Sequence, residues 1–169
     1  MSTLYKTMIT ISHTFETAHR LPQLGNKCVS LHGHSWRAET SIVGQVSEQG
    51  IVIDFGQVKA GWRTWIDLAL DHGTMLGAAD PLVPALLAAG CKIFRFGKVD
   101  RPVDGENLTH CMDWPTVENV AELLHRVARG LVEDLGMQLY GEPERWQVHH
   151  TTVHEKHDNA ARFPAPDRW

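Results

Sequence analysis

The sequence predicts an α+β domain in which an antiparallel sheet carries its helices on one face. Three segments alternate apolar and polar residues, as half-buried strands do, and they cover residues 7–18, 34–46 and 145–155. Two other segments, which begin near Asp54 and Thr116, repeat apolar residues at helical spacing. The elements show no internal repeat and no linker, so we expect one domain over residues 1–169.

The first two strands are expected to form an antiparallel hairpin, because they follow one another along the chain. In the first strand, Ile9, Ile11 and Phe15 fall on one face. The connection, residues 20–33, contains proline, glycine and asparagine and is predicted to be a loop. The hairpin therefore brings the end of the first strand close to the start of the second.

Both long helices have recognisable beginnings. Asp54 is a typical N-cap residue, and the helical spacing after it continues to Ala69. Thr116 is a good cap for the second long helix. Gly136 is the predicted end of that helix, because glycine readily takes the left-handed conformation that ends helices.

The middle segment holds weaker signals. Asp80-Pro81 predicts a short helix that finishes before Gly90. CKIFRFG, residues 91–97, is a candidate strand, and the polar residues 98–113 are predicted to be a loop. Helices on one face leave the other face of the sheet uncovered, which predicts self-association.

The composition restricts the function classes. The net charge of the chain is −4, which argues against general affinity for nucleic acid. We find no apolar run long enough to span a bilayer and no signal peptide at the N-terminus. The three cysteines show no paired spacing, which favours reduced thiols in a cytoplasmic protein.

Histidines of the predicted hairpin form a candidate metal site. His32 and His34 are two residues apart on a strand, so both side chains point to the same face. His19 ends the partner strand and is expected nearby. Three imidazoles are a known catalytic zinc set, with a fourth position open to water or substrate. The simpler interpretation is that the pair at His32 and His34 is coincidental or hydrogen-bonded.

Cys28 lies four residues before His32 and admits two interpretations. As a fourth ligand it would close the site and make it structural. As a free thiol near a cation and Lys27, it would be partly ionised at neutral pH and available as a base or nucleophile. The spacing does not decide between them.

Three further residues are candidates for acid–base or binding roles. Asp71 stands next to His72 and is able to orient its ring, although a favourable helix C-terminus explains the pair equally well. Glu155 ends the last strand, where its carboxylate either accepts two hydrogen bonds from a heterocycle or is simply solvated.

Taken together, these motifs resemble the 6-pyruvoyl-tetrahydropterin synthase superfamily. The motifs occur in that family's order between about residue 13 and residue 156, and they read FETAHRL, CVSLHGHSW, GIVIDFG, ALDH and PTVENVA, followed by a carboxylate at the last strand. Each motif alone is weak, whereas the ordered set is specific.

The resemblance implies the tunnelling fold (T-fold), in which antiparallel sheets from several subunits join into a barrel. It implies a homohexamer of two trimers with active sites between subunits. It also implies Zn²⁺ held by three histidines, which are His19, His32 and His34.

The resemblance assigns further roles around the zinc. Cys28 becomes the catalytic thiol rather than a ligand, and Asp71 and His72 become the acid–base pair. Glu155 anchors the pterin ring, and Thr116 lies near the ring. The partner is a small-molecule pterin triphosphate, with no nucleic acid and no membrane.

The three-residue gap between Cys28 and His32 is similar to the bacterial 6-carboxy-5,6,7,8-tetrahydropterin synthases of the queuosine and 7-deazaguanine pathway. This branch implies a zinc-dependent lyase that converts 7,8-dihydroneopterin triphosphate to 6-carboxytetrahydropterin, releasing triphosphate and acetaldehyde. Alternatives are a 6-pyruvoyltetrahydropterin synthase, which eliminates triphosphate without carbon–carbon cleavage, and a non-catalytic zinc- or pterin-binding module. The chain departs from the family in a long segment at about 73–114.

Overall fold

The computed structural model of the chain describes residues 6–166. The elements, in chain order, are β1 (Lys6–His19), β2 (His32–Gln45), α1 (Phe55–Ala69), β3 (Gly73–Gly77), α2 (Leu82–Ala88), β4 (Ile93–Phe96), α3 (Val117–Tyr140), β5 (Trp146–His154) and β6 (Ala160–Phe163). Short 3-10 helices cover Pro22–Leu24, Asn26–Val29 and Glu106–Thr109. The strands form one sheet in the order β4-β3-β1-β2-β5-β6, so the predicted α+β class is confirmed.

The predicted hairpin is also confirmed. β1 and β2 pair antiparallel along their whole length, from Lys6 opposite Gln45 to His19 opposite His32. β5 pairs antiparallel with the other edge of β2, and β6 with β5. β1, β2 and β5 are the three strands that the sequence predicts for the antiparallel sheet, whereas β6 was not predicted.

β3 and β4 make the whole sheet mixed. β3 runs parallel to β1, and β4 runs parallel to β3. α2 forms the crossover connection that two neighbouring parallel strands require. Met75 of β3 faces the main core, while Leu76 faces the other way and packs with Val83 of α2. α2 therefore covers the opposite face of the sheet from the one that α1 and α3 cover.

The main core lies between the sheet and the two long helices. Trp36 of β2, Trp62 of α1 and Leu124 of α3 are fully buried there. Asp54 caps α1 as predicted, because its side chain accepts a hydrogen bond from the backbone N–H of Gly56.

α3 is longer than the sequence predicts. It continues to Tyr140, and its C-cap is Gly141 in the left-handed conformation. The predicted end at Gly136 is wrong. A side chain at Gly136 would collide with the carbonyl oxygen of Glu142, where the chain folds back along the helix. Glycine is needed at that position for close approach, not for termination.

The segment 98–113 is held in place by a buried carboxylate, that of Glu106. The side chain of Glu106 is fully buried and forms an ion pair with Arg95. Its carboxylate accepts hydrogen bonds from the backbone N–H groups of Arg95 and Val103 as well as from the guanidinium. The hydrogen bond between the guanidinium and the Glu106 carboxylate raises the pKa of Arg95. The predicted loop is therefore anchored to β4 by one carboxylate.

The sequence also made predictions about membrane spans, a signal peptide and the cysteines. None of the described helices is both long and apolar enough to cross a bilayer. The predicted absence of a signal peptide concerns, in part, residues 1–5, which lie outside the described residues. Cys28, Cys91 and Cys111 are all free thiols, in agreement with the prediction from their spacing.

Candidate metal centre and active site

Three histidines meet where β1 ends and β2 begins. His19 lies directly opposite His32 in the hairpin, and His34 follows two residues later on the same face. One ligand nitrogen from each of the three lies within 4.8 Å of the others. The ring centroids of His19 and His34 are 5.2 Å apart, and those of His32 and His34 are 4.8 Å apart. The structure thus brings together the three residues that the sequence selects as metal ligands.

Backbone carbonyl groups fix the orientation of two of these rings. Nδ1 of His19 donates to the carbonyl oxygen of Pro115 at 2.9 Å, and Nδ1 of His32 donates to that of Ser30 at 2.8 Å. A carbonyl oxygen only accepts, so each neutral ring carries its proton on Nδ1 and its lone pair on Nε2. Nε2 of His19 is buried and has no hydrogen-bond partner among residues 6–166. A buried, orphaned lone pair of this kind fits a metal cation.

The protonation state of the cluster also fits a metal ion. Burial lowers the pKa of His19, and the hydrogen bond to Pro115 opposes that effect only partly. Burial likewise lowers the pKa of His34. Neutral imidazole is the form that coordinates metals, and three such rings match a zinc site with an open position.

Glu155 reaches the same centre from the end of β5. Val153 faces the core, and alternation along the strand puts Glu155 on that face too. Its Oε1 lies 3.1 Å from Nε2 of His19 and 3.7 Å from Nε2 of His34, and its side chain is 16% exposed. A solvated strand end, the simpler interpretation, does not describe this carboxylate.

Cys28 lies outside the ligand set. It belongs to the 3-10 helix Asn26–Val29, and its carbonyl oxygen accepts from the N–H of Leu21 at 2.7 Å. Its sulfur is not among the ligand atoms that lie within 4.8 Å of one another, and its side chain is partly exposed. The structure therefore does not support Cys28 as a fourth ligand.

Asp71 and His72 form a hydrogen-bonded pair on the turn after α1. Oδ2 of Asp71 accepts from Nδ1 of His72 at 2.6 Å, and Oδ1 accepts from the backbone N–H of Glu16 at 2.8 Å. His72 has a φ of 53°, and its N–H donates to the carbonyl oxygen of Glu16 at 2.6 Å. This left-handed turn lets neighbouring residues face each other, as the sequence interpretation requires.

The carboxyl group of that pair is ionised. Burial opposes ionisation of Asp71, but the hydrogen bonds from Glu16 and His72 outweigh it and lower the pKa. The ring of His72 is 80% exposed. Among residues 6–166, no hydrogen bond joins this pair to Cys28 or to the histidine cluster. The predicted site residues therefore fall into two groups on one chain.

Thr116 has a structural role at the start of α3. Its Oγ1 accepts from the backbone N–H of Asn119 at 3.3 Å, which makes it the N-cap. The neighbouring carbonyl of Pro115, which holds His19, was not selected from the sequence. No sequence signal marks a backbone acceptor, although its place in the motif PTVENVA points to the same turn.

One buried ion pair near the centre was also missed. Asp80 is buried, and its Oδ2 lies 3.2 Å from Nε of Arg20, which directly follows His19. Oδ1 of Asp80 accepts from the N–H of Leu82 at the start of α2. The dipeptide Asp80-Pro81 predicted the helix start but not the ionic partner.

The fold and the histidine cluster define the class of this protein, an α+β T-fold chain with a histidine site suited to a metal ion. The chain belongs to the 6-pyruvoyl tetrahydropterin synthase family, which matches residues 8–166. The family resemblance inferred from the motifs is therefore confirmed.

Two named relatives are similar to this chain in sequence. The 6-carboxy-5,6,7,8-tetrahydropterin synthase of Rickettsia typhi is 32% identical over 108 residues, covering 63% of this chain and 69% of that protein. A probable 6-carboxy-5,6,7,8-tetrahydropterin synthase of Halobacterium salinarum is 32% identical over 108 residues, covering 64% of this chain and 60% of that protein.

Solved structures support the fold. An uncharacterised protein from Wolinella succinogenes superimposes with a TM-score of 0.65 at 22% identity, covering 94% of this chain and 97% of that one. The 6-pyruvoyl tetrahydropterin synthase of Caenorhabditis elegans superimposes with a TM-score of 0.59 at 19% identity, covering 96% of this chain and 98% of that one. At these identities the similarity concerns the fold, and the T-fold prediction is confirmed.

Proposed function

We propose that this chain is a zinc-dependent 6-carboxy-5,6,7,8-tetrahydropterin synthase. It would convert 7,8-dihydroneopterin triphosphate and one molecule of water to 6-carboxytetrahydropterin, triphosphate and acetaldehyde. The observation that carries the proposal is the cluster of His19, His32 and His34, with two Nδ1 groups fixed by carbonyls. Family membership and the names of the relatives support a pterin synthase as the general class.

The metal-binding residues and Glu155 define the proposed substrate position. His19, His32 and His34 would hold Zn²⁺, which supplies Lewis acidity to oxygen atoms of the substrate side chain. Glu155 would accept hydrogen bonds from the N–H edge of the pterin, as carboxylates do with paired donors. Thr116 would lie near the ring and also caps α3.

The remaining residues would move protons. Cys28 would remove a proton from the substrate side chain, and His72 would shuttle the second. Asp71 orients His72 through its hydrogen bond. Because the His72 ring is exposed and separate from the histidine cluster, it would serve the site of a neighbouring subunit. This arrangement agrees with the proposed homohexamer, a dimer of trimers with sites between subunits.

The decisive experiment is a product assay. The zinc-loaded protein would be incubated with 7,8-dihydroneopterin triphosphate, and the products identified by mass. We expect 6-carboxytetrahydropterin and acetaldehyde. If 6-pyruvoyltetrahydropterin forms and no acetaldehyde appears, the proposed reaction is wrong. If neither pterin product forms while zinc stays bound, the non-catalytic module is the better description.

The proposal extends to cellular context. Free thiols at Cys28, Cys91 and Cys111 are compatible with a cytoplasmic protein. We place the reaction in queuosine or another 7-deazapurine pathway. Loss of queuosine from tRNA on deletion of the gene would support the first of these, and unchanged tRNA would contradict it.

A further inference from the structure

Two hydrogen-bond acceptors face each other beside the histidine cluster. Nε2 of His19 carries a lone pair, because Nδ1 carries the proton and donates a hydrogen bond to the carbonyl oxygen of Pro115. Oε1 of Glu155 lies 3.1 Å from it, yet Nε2 of His19 has no hydrogen-bond partner in the part of the chain that the structure describes. Two acceptors at this distance repel unless a cation lies between or beside them. A proton on Nε2 would not resolve the contact, since the carboxylate is not aligned to accept it.

The distances match those between neighbouring ligands of one ion. In a tetrahedral site with bonds of about 2.0–2.1 Å, two ligand atoms stand about 3.3 Å apart. Oε1 of Glu155 lies 3.1 Å from Nε2 of His19 and 3.7 Å from Nε2 of His34. Among residues 6–166, the mutually close set consists of the three histidines, so the carboxylate lies on the side of His19 and His34. To complete the set, the carboxylate must move closer to His32 when the ion binds.

We infer that Glu155 is the fourth ligand of the metal in the substrate-free protein and leaves the metal when the pterin binds. Its departure would open the coordination position only when the N–H edge of the ring is present to donate hydrogen bonds to the carboxylate. The metal-binding half of this inference needs only a divalent cation at the histidines, whereas the release half rests on the proposed function. Cys28, which lies outside the ligand set, remains free for chemistry.

Metal affinity tests the first half. Zn²⁺ binding would be measured by competition with a chromophoric chelator in the wild type, in Glu155→Gln and in Glu133→Gln. Glu133 is an exposed residue of α3 paired with Arg129 and serves as the matched control. We expect Glu155→Gln to weaken Zn²⁺ binding by about tenfold or more, with the control unchanged. Equal affinity in Glu155→Gln and the wild type overturns the inference.

The visible spectrum of the Co²⁺-loaded protein tests the second half. The spectrum reports coordination number, and unsubstituted pterin is the probe, with its binding followed separately by fluorescence. We expect bound pterin to change the wild-type spectrum towards that of Glu155→Gln. Bound pterin with an unchanged wild-type spectrum overturns the inference and leaves the proposed function intact. No pterin binding contradicts the proposed function, while the zinc measurement still decides whether Glu155 is a ligand.

Discussion

Acid should destabilise this protein through His125. This histidine of α3 faces the sheet and is distant in sequence from the cluster of three histidines. The side chain is 7% exposed, its ring packs edge-on against Phe163 at 5.3 Å, and its Nδ1 has no hydrogen-bond partner. Burial, together with the positive charge of Arg129 and of His150, lowers the pKa of His125 from 6.5 to about 4. The folded chain therefore resists a proton that the unfolded chain accepts.

The sign and size of the effect follow from linkage. Below about pH 6.5 the unfolded state gains a proton at His125, whereas the folded state stays neutral down to about pH 4, so the free energy of unfolding falls as the pH falls. A pKa difference between 6.5 and about 4, at about 1.4 kcal/mol for each pH unit, limits the loss to about 3 kcal/mol. Between about pH 7.5 and about pH 4.5, we expect the free energy of unfolding to fall by about 2.5 kcal/mol.

Urea unfolding of metal-free protein at these two pH values provides the assay. Wild type and His125→Leu would be compared at equal protein concentration, because self-association would shift apparent stability. Leucine has a similar volume and does not titrate. On acidification, the free energy of unfolding of the variant should therefore fall by about 2.5 kcal/mol less than that of the wild type. If wild type and variant lose the same free energy on acidification, the reasoning about His125 is refuted.

Three further predictions concern single side chains. Cys28→Ala should keep full zinc stoichiometry, measured by atomic absorption, and reduce turnover about 100-fold or more; loss of zinc would instead make Cys28 a ligand. Asp71→Asn should reduce turnover by about 100-fold with little change in KM, since it leaves the His72 ring without its ionised partner; an unchanged kcat would contradict the role of the pair. Glu106→Ala should lower the free energy of unfolding by about 3–5 kcal/mol, because it leaves Arg95 without its buried partner. Thermal denaturation checks this prediction. A loss below about 1 kcal/mol would show that the segment 98–113 does not depend on the pair.

The cluster of three histidines could be predicted from the sequence because it depends on two simple rules of strand geometry. Alternation along a strand puts His32 and His34 on one face, and an antiparallel hairpin puts His19 opposite His32. Both rules act over a few residues and are independent of distant packing. The same reasoning applied to Glu155 gave its face but not its distance from the histidines, because that distance depends on how β5 is registered against β2.

Other features resisted sequence reasoning for physical reasons. β3 has only five residues and buries side chains on both faces, so no alternation marks it. β6 is equally short and gains its strand conformation from pairing with β5. Gly136 looks like a helix end in the sequence pattern. The pattern does not reveal that the backbone at Glu142 occupies the space that a side chain at position 136 would need. Each of these depends on contacts between segments that are formed only in the folded molecule.

The hydrogen bond from His19 to the carbonyl of Pro115 limits how far the segment 73–114 can be altered. A Cβ on Gly77 of β3 would lie 2.8 Å from the carbonyl oxygen of Asp113, so the end of the long segment 73–114 is pressed directly onto the sheet. Two residues later, the carbonyl oxygen of Pro115 accepts a hydrogen bond from Nδ1 of His19. The connection therefore helps to hold the ring of His19, and it cannot be exchanged as an independent surface loop. A graft that replaces or shortens it must first rebuild an acceptor for that one ring nitrogen.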